Sequence, residues 1–171
     1  MKARTVLGLA AVLPLVGYVA VAAVKGRDAV WSTLFGPPER HAVVFETWDR
    51  APAGNEYILC PAGLCPGQTH GEAPEFAVPA TDLKAAWDRV VASKPHTERL
   101  AWDDAAMQGD WEVRTPLLRF PDTVTVRFVP LAEDRSTLAV FSRSHYGKSD
   151  LGTNGRRVTQ WLDDLRAEVA A

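Results

Sequence analysis

The chain carries two cysteines, Cys60 and Cys65, in the segment Cys-Pro-Ala-Gly-Leu-Cys. In a chain that leaves the cytoplasm, two cysteines separated by four residues are typical of a structural disulfide, worth about 2 kcal/mol in the chain-entropy model. Two other interpretations stay open. One is a redox pair, although the spacing is not the C-x-x-C of dithiol oxidoreductases; the other is a metal site that adds His70 but lacks an adjacent fourth ligand. We predict the disulfide, with no metal and no cofactor.

A second group of reactive side chains lies in the segment 142–157, Ser-Arg-Ser-His-Tyr-Gly-Lys-Ser-Asp-Leu-Gly-Thr-Asn-Gly-Arg-Arg. A basic loop with glycines that opens a helix can bind an anion, because free backbone amides and the helix dipole point at the ligand. The segment is not a P-loop, since Thr153-Asn154 stands where Lys-Ser/Thr is required, and it lacks the Gly-x-Gly of dinucleotide sites.

We expect this loop to bind a ligand or a partner. The candidate residues are Arg143, Lys148, Asp150, Gly152, Asn154 and Arg157. A structural interpretation stays open beside it: Asp150 and Asn154 would cap turns and the start of the helix, while Arg143 and Arg157 would pair with nearby carboxylates.

Two further arginines are expected on one face of a sheet. Apolar and polar residues alternate along the segment 123–130, which is typical of a half-buried strand, and Arg127 belongs to the polar set. If the apolar set faces the helices, Arg127 faces away, and Arg114 or Arg143 joins it from the neighbouring strands. This predicts an open face with arginines that either docks a partner or is simply solvated.

Catalytic motifs are sparse. The four histidines are scattered, and the serines of the segment 142–157 lack a Gly-x-Ser-x-Gly elbow. Only His145 and Asp150 form a local pair with acid–base potential. A hydrolase-like enzyme that uses this pair is therefore an alternative to a binding module.

The elements that position these residues follow from periodicity. A helix from Thr81 or Asp82 to about Ser93 places its apolar residues on one face, and a closing helix from about Asn154 to Val169 does the same. The predicted strands are 41–48, a short apolar run at 57–59, a short strand at 75–78, and four strands at 97–102, 108–115, 123–130 and 136–144.

Short connections favour antiparallel pairing, and two one-sided helices predict that both cover one face of one sheet. The fold class is therefore α+β, with the order strand-helix-four strands-helix. This order matches the half-repeat of the TATA-box-binding-protein-like fold and is also seen in helix-grip ligand binders. At the level of the fold, this resemblance implies no function.

The N-terminus predicts the location of the protein. Lys2 and Arg4 precede an uncharged run, residues 5–24, which is long enough for the roughly 30 Å of a bilayer core. The run also fits a signal peptide with the small-residue site Ala20-Val21-Ala22. We expect an uncleaved anchor, with a cleaved signal as the alternative. The predicted domains are an anchor or signal segment at 1–27, a linker at 28–40, and a single exported domain at 41–171.

Composition sets limits on the function. The 171 residues carry a formal net charge of −2 and a sequence pI of about 6.1, with 47% hydrophobic and 23% charged residues. These values exclude a disordered chain and argue against a dedicated nucleic-acid binder, which normally has a basic surface.

Three segments together resemble a known family. Cys-Pro-Ala-Gly-Leu-Cys, Arg-Thr-Pro-Leu-Leu-Arg-Phe-Pro-Asp and the segment 142–157 resemble the bacterial and plastid family catalogued as the domain of unknown function numbered 1499, over about Glu56 to Leu165. The family pattern has Ser-Arg-Ser-Arg before the glycine, whereas His145 stands at the second arginine here. The resemblance implies a shared fold but no established activity. It also implies a shared site at Arg143, Asp150, Gly152, Asn154 and Arg157.

The sequence as a whole predicts a non-enzymatic module that is held at the inner membrane by a single span, with its C-terminal domain in the periplasm. A soluble periplasmic protein is the alternative after cleavage. The expected partners are a membrane protein complex, a lipid or another anionic or apolar ligand, bound through the segment 142–157 and the sheet face, and no nucleic acid.

Overall fold

The computed structural model describes residues 15–171, and an antiparallel sheet runs through the middle of them. The N-terminal part holds helix α1 (residues 15–25), a 3₁₀ turn at Arg27–Ala29, helix α2 (Val30–Phe35) and a second 3₁₀ turn at Phe45–Thr47. The strands are β1 (Glu56–Leu59), β2 (Glu75–Phe76), β3 (Thr97–Asp103), β4 (Gln108–Arg114), β5 (Pro121–Ala132) and β6 (Arg135–Ser144). The two long helices are α3 (Ala80–Ala92) and α4 (Thr153–Val169).

The strands lie in the order β1-β6-β5-β4-β3, and β2 also pairs with β6. The strands from β3 to β6 are joined by short turns, which antiparallel neighbours allow. The predicted α+β class, the four central strands and both long helices are confirmed. The strand predicted at 41–48 is wrong, because this segment holds only a 3₁₀ turn. The predicted apolar run at 57–59 belongs to β1.

One face of the sheet packs against α3 and α4. Val124, Val126 and Phe128 of β5 are buried there, as their alternation predicts. Trp87 of α3 lies edge-on to Trp161 of α4, with 5.5 Å between the ring centroids. Edge-to-face aromatic pairs stabilise a core beyond the area that they bury. The predicted arrangement of both helices on one face is therefore confirmed.

The opposite face of the sheet is partly covered by residues 39–49. Phe45 and Trp48 are buried in a second apolar cluster, where the Trp48 ring contacts Phe141 of β6 edge-on at 4.8 Å. Side chains of this segment pack on β1 and β6, and the Val43 carbonyl accepts a hydrogen bond from Gln108 of β4. The segment therefore crosses over the strands, and its backbone does not form the hydrogen bonds of a further strand. This explains the missing strand, and it corrects the expectation of an open face.

The segment predicted as a membrane anchor, residues 5–24, is described only in part. Residues 5–14 lie outside the described residues, and α1 holds the remainder. Within residues 15–171, no helix combines the length and the mean hydropathy that a bilayer span requires.

The predicted linker 28–40 contains α2, which packs on the domain. The Trp31 ring of α2 stacks on Phe120 with 3.7 Å between centroids. Gly36 ends the helix with a φ of 87°, in the region that favours glycine, ahead of Pro37 and Pro38. The N-terminal region therefore contributes side chains to the surface of the domain.

The main core predicts a matched pair of leucine substitutions. Leu165→Ala, at a fully buried side chain of α4, should lower the free energy of unfolding by about 2–5 kcal/mol, because it removes packed methyl groups and leaves a cavity. Leu117→Ala, at a side chain that is 76% exposed, should change it by less than about 0.5 kcal/mol. Urea denaturation followed by tryptophan fluorescence measures both. Equal effects would contradict the packing described.

Candidate functional site

The loop between β6 and α4 forms one wall of a pocket of about 600 Å³. The other walls are α2 and the turn 115–121 between β4 and β5. Four aromatic side chains line the pocket: Trp31, Phe35, Phe120 and Tyr146. We call this the aromatic pocket. Its size lies within the range of small-molecule sites.

Helix α2 is fixed on one side by the turn 115–121. The Trp31 indole N–H donates to the carbonyl of Leu118 at 2.6 Å, and the Asp28 carboxylate accepts two hydrogen bonds from Arg119, at 2.5 and 3.0 Å. The hydrogen bond from Arg119 lowers the pKa of Asp28, so this pair is charged at neutral pH. These contacts hold α2, a helix of only six residues, and the 3₁₀ turn before it against the domain.

The loop wall contacts the same helix from the other side. The Tyr146 hydroxyl donates to the carbonyl of Gly36 at 2.7 Å, and the Phe35 ring lies 6.1 Å from that of Tyr146. The aromatic pocket is therefore closed on both flanks by direct contacts of α2. Its mouth remains apolar and exposed, since Phe35 is 67% exposed and Leu151 is 84% exposed.

A buried polar network lies beneath the pocket and joins α4 to the sheet. Arg157 of α4 forms an ion pair with Asp122 of β5 at 2.5 Å, with side chains that are 9% and 3% exposed. Arg157 also donates to Ser142 at 3.1 Å and to the side-chain oxygen of Asn154 at 2.5 Å. Burial raises the pKa of Asp122, and the positive charge of Arg157 opposes this shift.

A side chain of the loop 142–157 caps the N-terminus of α4. The Asp150 carboxylate accepts hydrogen bonds from the amides of Gly152 at 3.0 Å and Asn154 at 2.6 Å. Gly152 has a φ of 76°, which a residue with a side chain adopts only at a cost. An anion at this helix terminus would have to displace Asp150. The structural interpretation that the sequence left open therefore describes three of the candidate residues: Asp150 caps the helix, and Asn154 and Arg157 belong to the buried network. Lys148 is exposed.

The three arginines predicted on the sheet face have different partners. Arg127 pairs with Glu46 of the covering segment, and Arg114 pairs with Glu112 at 2.6 Å. Arg143 donates only to uncharged oxygens among residues 15–171: the Thr125 hydroxyl at 3.4 Å and the His41 carbonyl at 3.2 Å.

His145 and Asp150 do not form an acid–base pair among the described contacts. The His145 Nε2 atom lies 2.6 Å from the Thr123 hydroxyl oxygen, whereas Asp150 binds backbone amides. Burial and the positive charges of Arg143 and Arg40 lower the pKa of His145 to about 4. The ring is therefore neutral at pH 7.

Cys60 and Cys65 are bonded as a disulfide, with 6.1 Å between their Cα atoms. His70, the third residue of the alternative metal site, accepts a hydrogen bond from the Ile58 amide at 3.2 Å and stacks on the Tyr57 ring. Across residues 15–171, no three histidine, cysteine, aspartate or glutamate side chains are arranged to hold a metal ion.

The sequence did not reveal the aromatic pocket. Trp31 and Phe35 lie just past the apolar run, and their types alone also fit a membrane interface. Phe120 and Tyr146 are far away in sequence, and no local pattern relates them to Trp31. The only local signal was the clustering of Trp31 and Phe35 in a segment predicted as a linker.

Comparison with known proteins gives one family match. The model of the family described as "Protein of unknown function (DUF1499)" matches residues 69–165, which include α3, the strands from β2 to β6 and most of α4. No curated protein matches the chain.

Several solved structures are similar in part. The di-domain ARO/CYC BexL from the BE-7585A biosynthetic pathway has 13% identity and a TM-score of 0.39 over 67% of this chain and 44% of that chain, so this chain spans less than half of its length. A solution structure from Thermobifida fusca has 12% identity and a TM-score of 0.40 over 66% and 86%. A START superfamily protein from Mycobacterium smegmatis has 14% identity and a TM-score of 0.28 over 58% and 89%. Similarities of this size carry no argument about the site.

The buried ion pair predicts a non-additive pair of substitutions. Arg157→Met should lower the free energy of unfolding by about 3–5 kcal/mol, because it leaves the Asp122 charge buried without a partner. Adding Asp122→Leu to this variant should restore part of the loss, since no buried charge then remains. Guanidinium denaturation of the wild type, both single variants and the double variant tests this. Strictly additive losses would contradict the coupling.

The lowered pKa of His145 predicts a pH dependence of stability. An unfolded chain binds a proton at this ring near pH 6.5, whereas the folded protein does so only near pH 4. The stabilising contribution is therefore present above pH 6.5 and is lost as the pH falls towards 4. His145→Asn should make the fall between pH 7 and pH 4.5 shallower. The matched control is His41→Asn, at a side chain that is 85% exposed, and it should leave the slope unchanged.

Proposed function

The chain belongs to the family described as "Protein of unknown function (DUF1499)"; this membership supplies no activity, and we propose a function from the geometry of the site. The protein is a non-enzymatic binding module that takes the apolar part of an amphiphilic small molecule into the aromatic pocket. The observation that carries this proposal is the aromatic lining of a 600 Å³ pocket beside the loop 142–157.

The chemistry of the pocket favours an amphiphile over a fully polar ligand. Its lining surface is mainly apolar and includes four aromatic rings, and such a surface releases water at little cost when an apolar chain replaces it. Polar side chains also belong to the lining, among them Thr115, Ser144 and the buried Asp122, but they contribute the smaller part of its surface. Such a lining orients one polar end of a ligand while the rings hold its apolar part.

The surface around the pocket mouth supports the same ligand class. Phe35, Leu117 and Leu151 are 67%, 76% and 84% exposed at or near the rim. Helix α1 contacts this region, since its Tyr18 hydroxyl donates to the Leu118 carbonyl and its ring lies 5.9 Å from Trp31. Apolar side chains that cluster on a surface mark places where other molecules bind.

Location at a membrane would bring the pocket to its ligand. The uncharged run of residues 5–24 supports an inner-membrane anchor with the domain in the periplasm, or a soluble periplasmic protein after cleavage. A tether next to the pocket raises the effective concentration of membrane amphiphiles. A membrane protein that docks its own apolar segment at the rim is the alternative partner.

Photo-crosslinking tests the pocket. The full chain, held in phosphatidylcholine nanodiscs, is irradiated with an alkyl-diazirine analogue of decanol, and the labelled residues are mapped by mass spectrometry. Labelling should concentrate on α2, the turn 115–121 and the loop wall. Trp31→Ala should reduce it about tenfold, because a buried aromatic surface worth about 1.5–3 kcal/mol is lost.

The controls separate the pocket from general membrane contact. Trp102→Ala, a tryptophan of β3 outside the pocket, should leave labelling unchanged. Phe35→Ala removes an exposed ring with little risk to folding and should also weaken labelling. Labelling confined to α1, or equal in all four proteins, would contradict the proposed function.

A further inference from the structure

A second cavity lies on the other face of the sheet. It has a volume of about 390 Å³ and is bounded by the segment 39–50 above and by β1 and β6 below. We call it the sheet-face cleft. We propose that it binds a small organic carboxylate, whose anionic group is held by Arg143 and whose apolar part lies against Phe141. The cleft shares little with the aromatic pocket, and this inference does not depend on the proposed function.

The first support is that the carboxylates nearest to Arg143 in the sheet already have partners. Glu56, the register partner of Arg143 on β1, accepts two hydrogen bonds from Arg50 at 2.7 and 2.8 Å. Glu112, one strand beyond Thr123, is held by Arg40 and Arg114.

Asp110 of β4 and the two other carboxylates that line the cleft, Glu39 and Asp49, also do not form an ion pair with Arg143. Asp110 accepts a hydrogen bond from the Thr125 hydroxyl at 2.5 Å, and Glu39 faces His41 at 3.4 Å. Within residues 15–171, no carboxylate oxygen comes within 4 Å of the Arg143 guanidinium. Arg143 is therefore left with uncharged acceptors.

The second support is that most N–H donors of the Arg143 guanidinium have no acceptor among residues 15–171. It has five N–H donors, and only two of them have acceptors, the Thr125 hydroxyl and the His41 carbonyl. The group also lies over the Phe141 ring at 5.0 Å, which fixes its plane. A pre-oriented guanidinium with free donors matches the two oxygens of a carboxylate.

The charges next to Arg143 act on its pKa in opposite directions. Burial lowers the pKa of Arg143, and the positive charges of Arg40 and Arg50 act in the same direction, while Asp110 and Glu56 oppose this shift. The His145 ring, which lines the same cleft, is neutral at pH 7 because its pKa is about 4. A bound anion would supply the missing counter-charge without displacing any existing pair.

The cleft also has an apolar wall, which narrows the ligand class. Phe141 of β6 lines it from the sheet, and Val43, Val44 and Trp48 line it from the covering segment. An inorganic anion would leave the Val44 side chain, which is 52% exposed, in contact with water. A carboxylate that carries a ring or a short alkyl group would use both the guanidinium and the wall.

Nuclear magnetic resonance on the full chain tests the proposal. The histidine rings are labelled with ¹³C, the protein is held in phosphatidylcholine nanodiscs at pH 6.5, and benzoate is added. The signal of His145, at the edge of the cleft, should shift and saturate, while benzamide, which has the same shape without the charge, should bind at least about tenfold more weakly. Equal responses to benzoate and benzamide would overturn the proposal, as would tighter binding of inorganic phosphate.

Two substitutions locate the site. Arg143→Gln should weaken benzoate binding about tenfold or more, and Arg99→Gln, at an exposed arginine of β3, should not change it. If Arg143→Gln does not fold, Arg143→Lys keeps the charge but loses the two-pronged donor and should still weaken binding. Retained affinity in a folded Arg143 variant would overturn the assignment. Labelling of the aromatic pocket by the decanol probe should persist in these variants, so the two proposals fail separately.

Discussion

The ion pair between Arg157 and Asp122 fixes the position of α4 on the sheet, and the loop before α4 takes its shape from the same network. A buried carboxylate and a buried guanidinium are each costly to desolvate, and together they are tolerated because every partner is close and hydrogen-bonded. Asn154 extends the network to the Asn55 carbonyl at 2.9 Å and so ties the loop to the start of β1. Because these contacts position the loop, the Tyr146 hydroxyl can donate to the Gly36 carbonyl at the end of α2, and this contact bounds one side of the aromatic pocket.

The sheet is covered differently on its two faces, and each cover creates a cavity at its edge. The long helices bury one face through aliphatic and tryptophan side chains, and they leave the aromatic pocket where α4 meets the loop and α2. The segment 39–50 covers the other face through Phe45 and Trp48, which anchor only part of it. This segment contains only one short 3₁₀ turn and no long helix, so it covers less of the sheet than α3 and α4 do and leaves a cleft above β6. Arg143 lies in that cleft without an ionic partner among the described residues.

The sequence predicted the central strands and both long helices because their signals are local. Alternation along β5 and the apolar faces of α3 and α4 repeat within each element, so no knowledge of distant contacts was needed. The failure at 41–48 has the opposite cause. Its valine and aromatic residues are typical of a strand, but Phe45 and Trp48 are buried by packing on the face of the sheet, and residue types do not reveal whether a backbone pairs with a neighbour. The disulfide followed from the spacing of the cysteines, and the structure brings them within bonding distance.

The sequence by itself determined the fold class and the family, because both depend on residue types at short spacing. It also left two roles open for the loop 142–157, capping or ligand binding. Only the tertiary structure could assign partners: Asp150 to backbone amides, Arg157 to Asp122, and, within residues 15–171, no carboxylate to Arg143. The aromatic pocket likewise depends on the approach of Trp31 and Phe35 to Phe120 and Tyr146. The physical reason is that pairing and enclosure depend on distances between residues far apart in the chain, which the packing of both sheet faces sets.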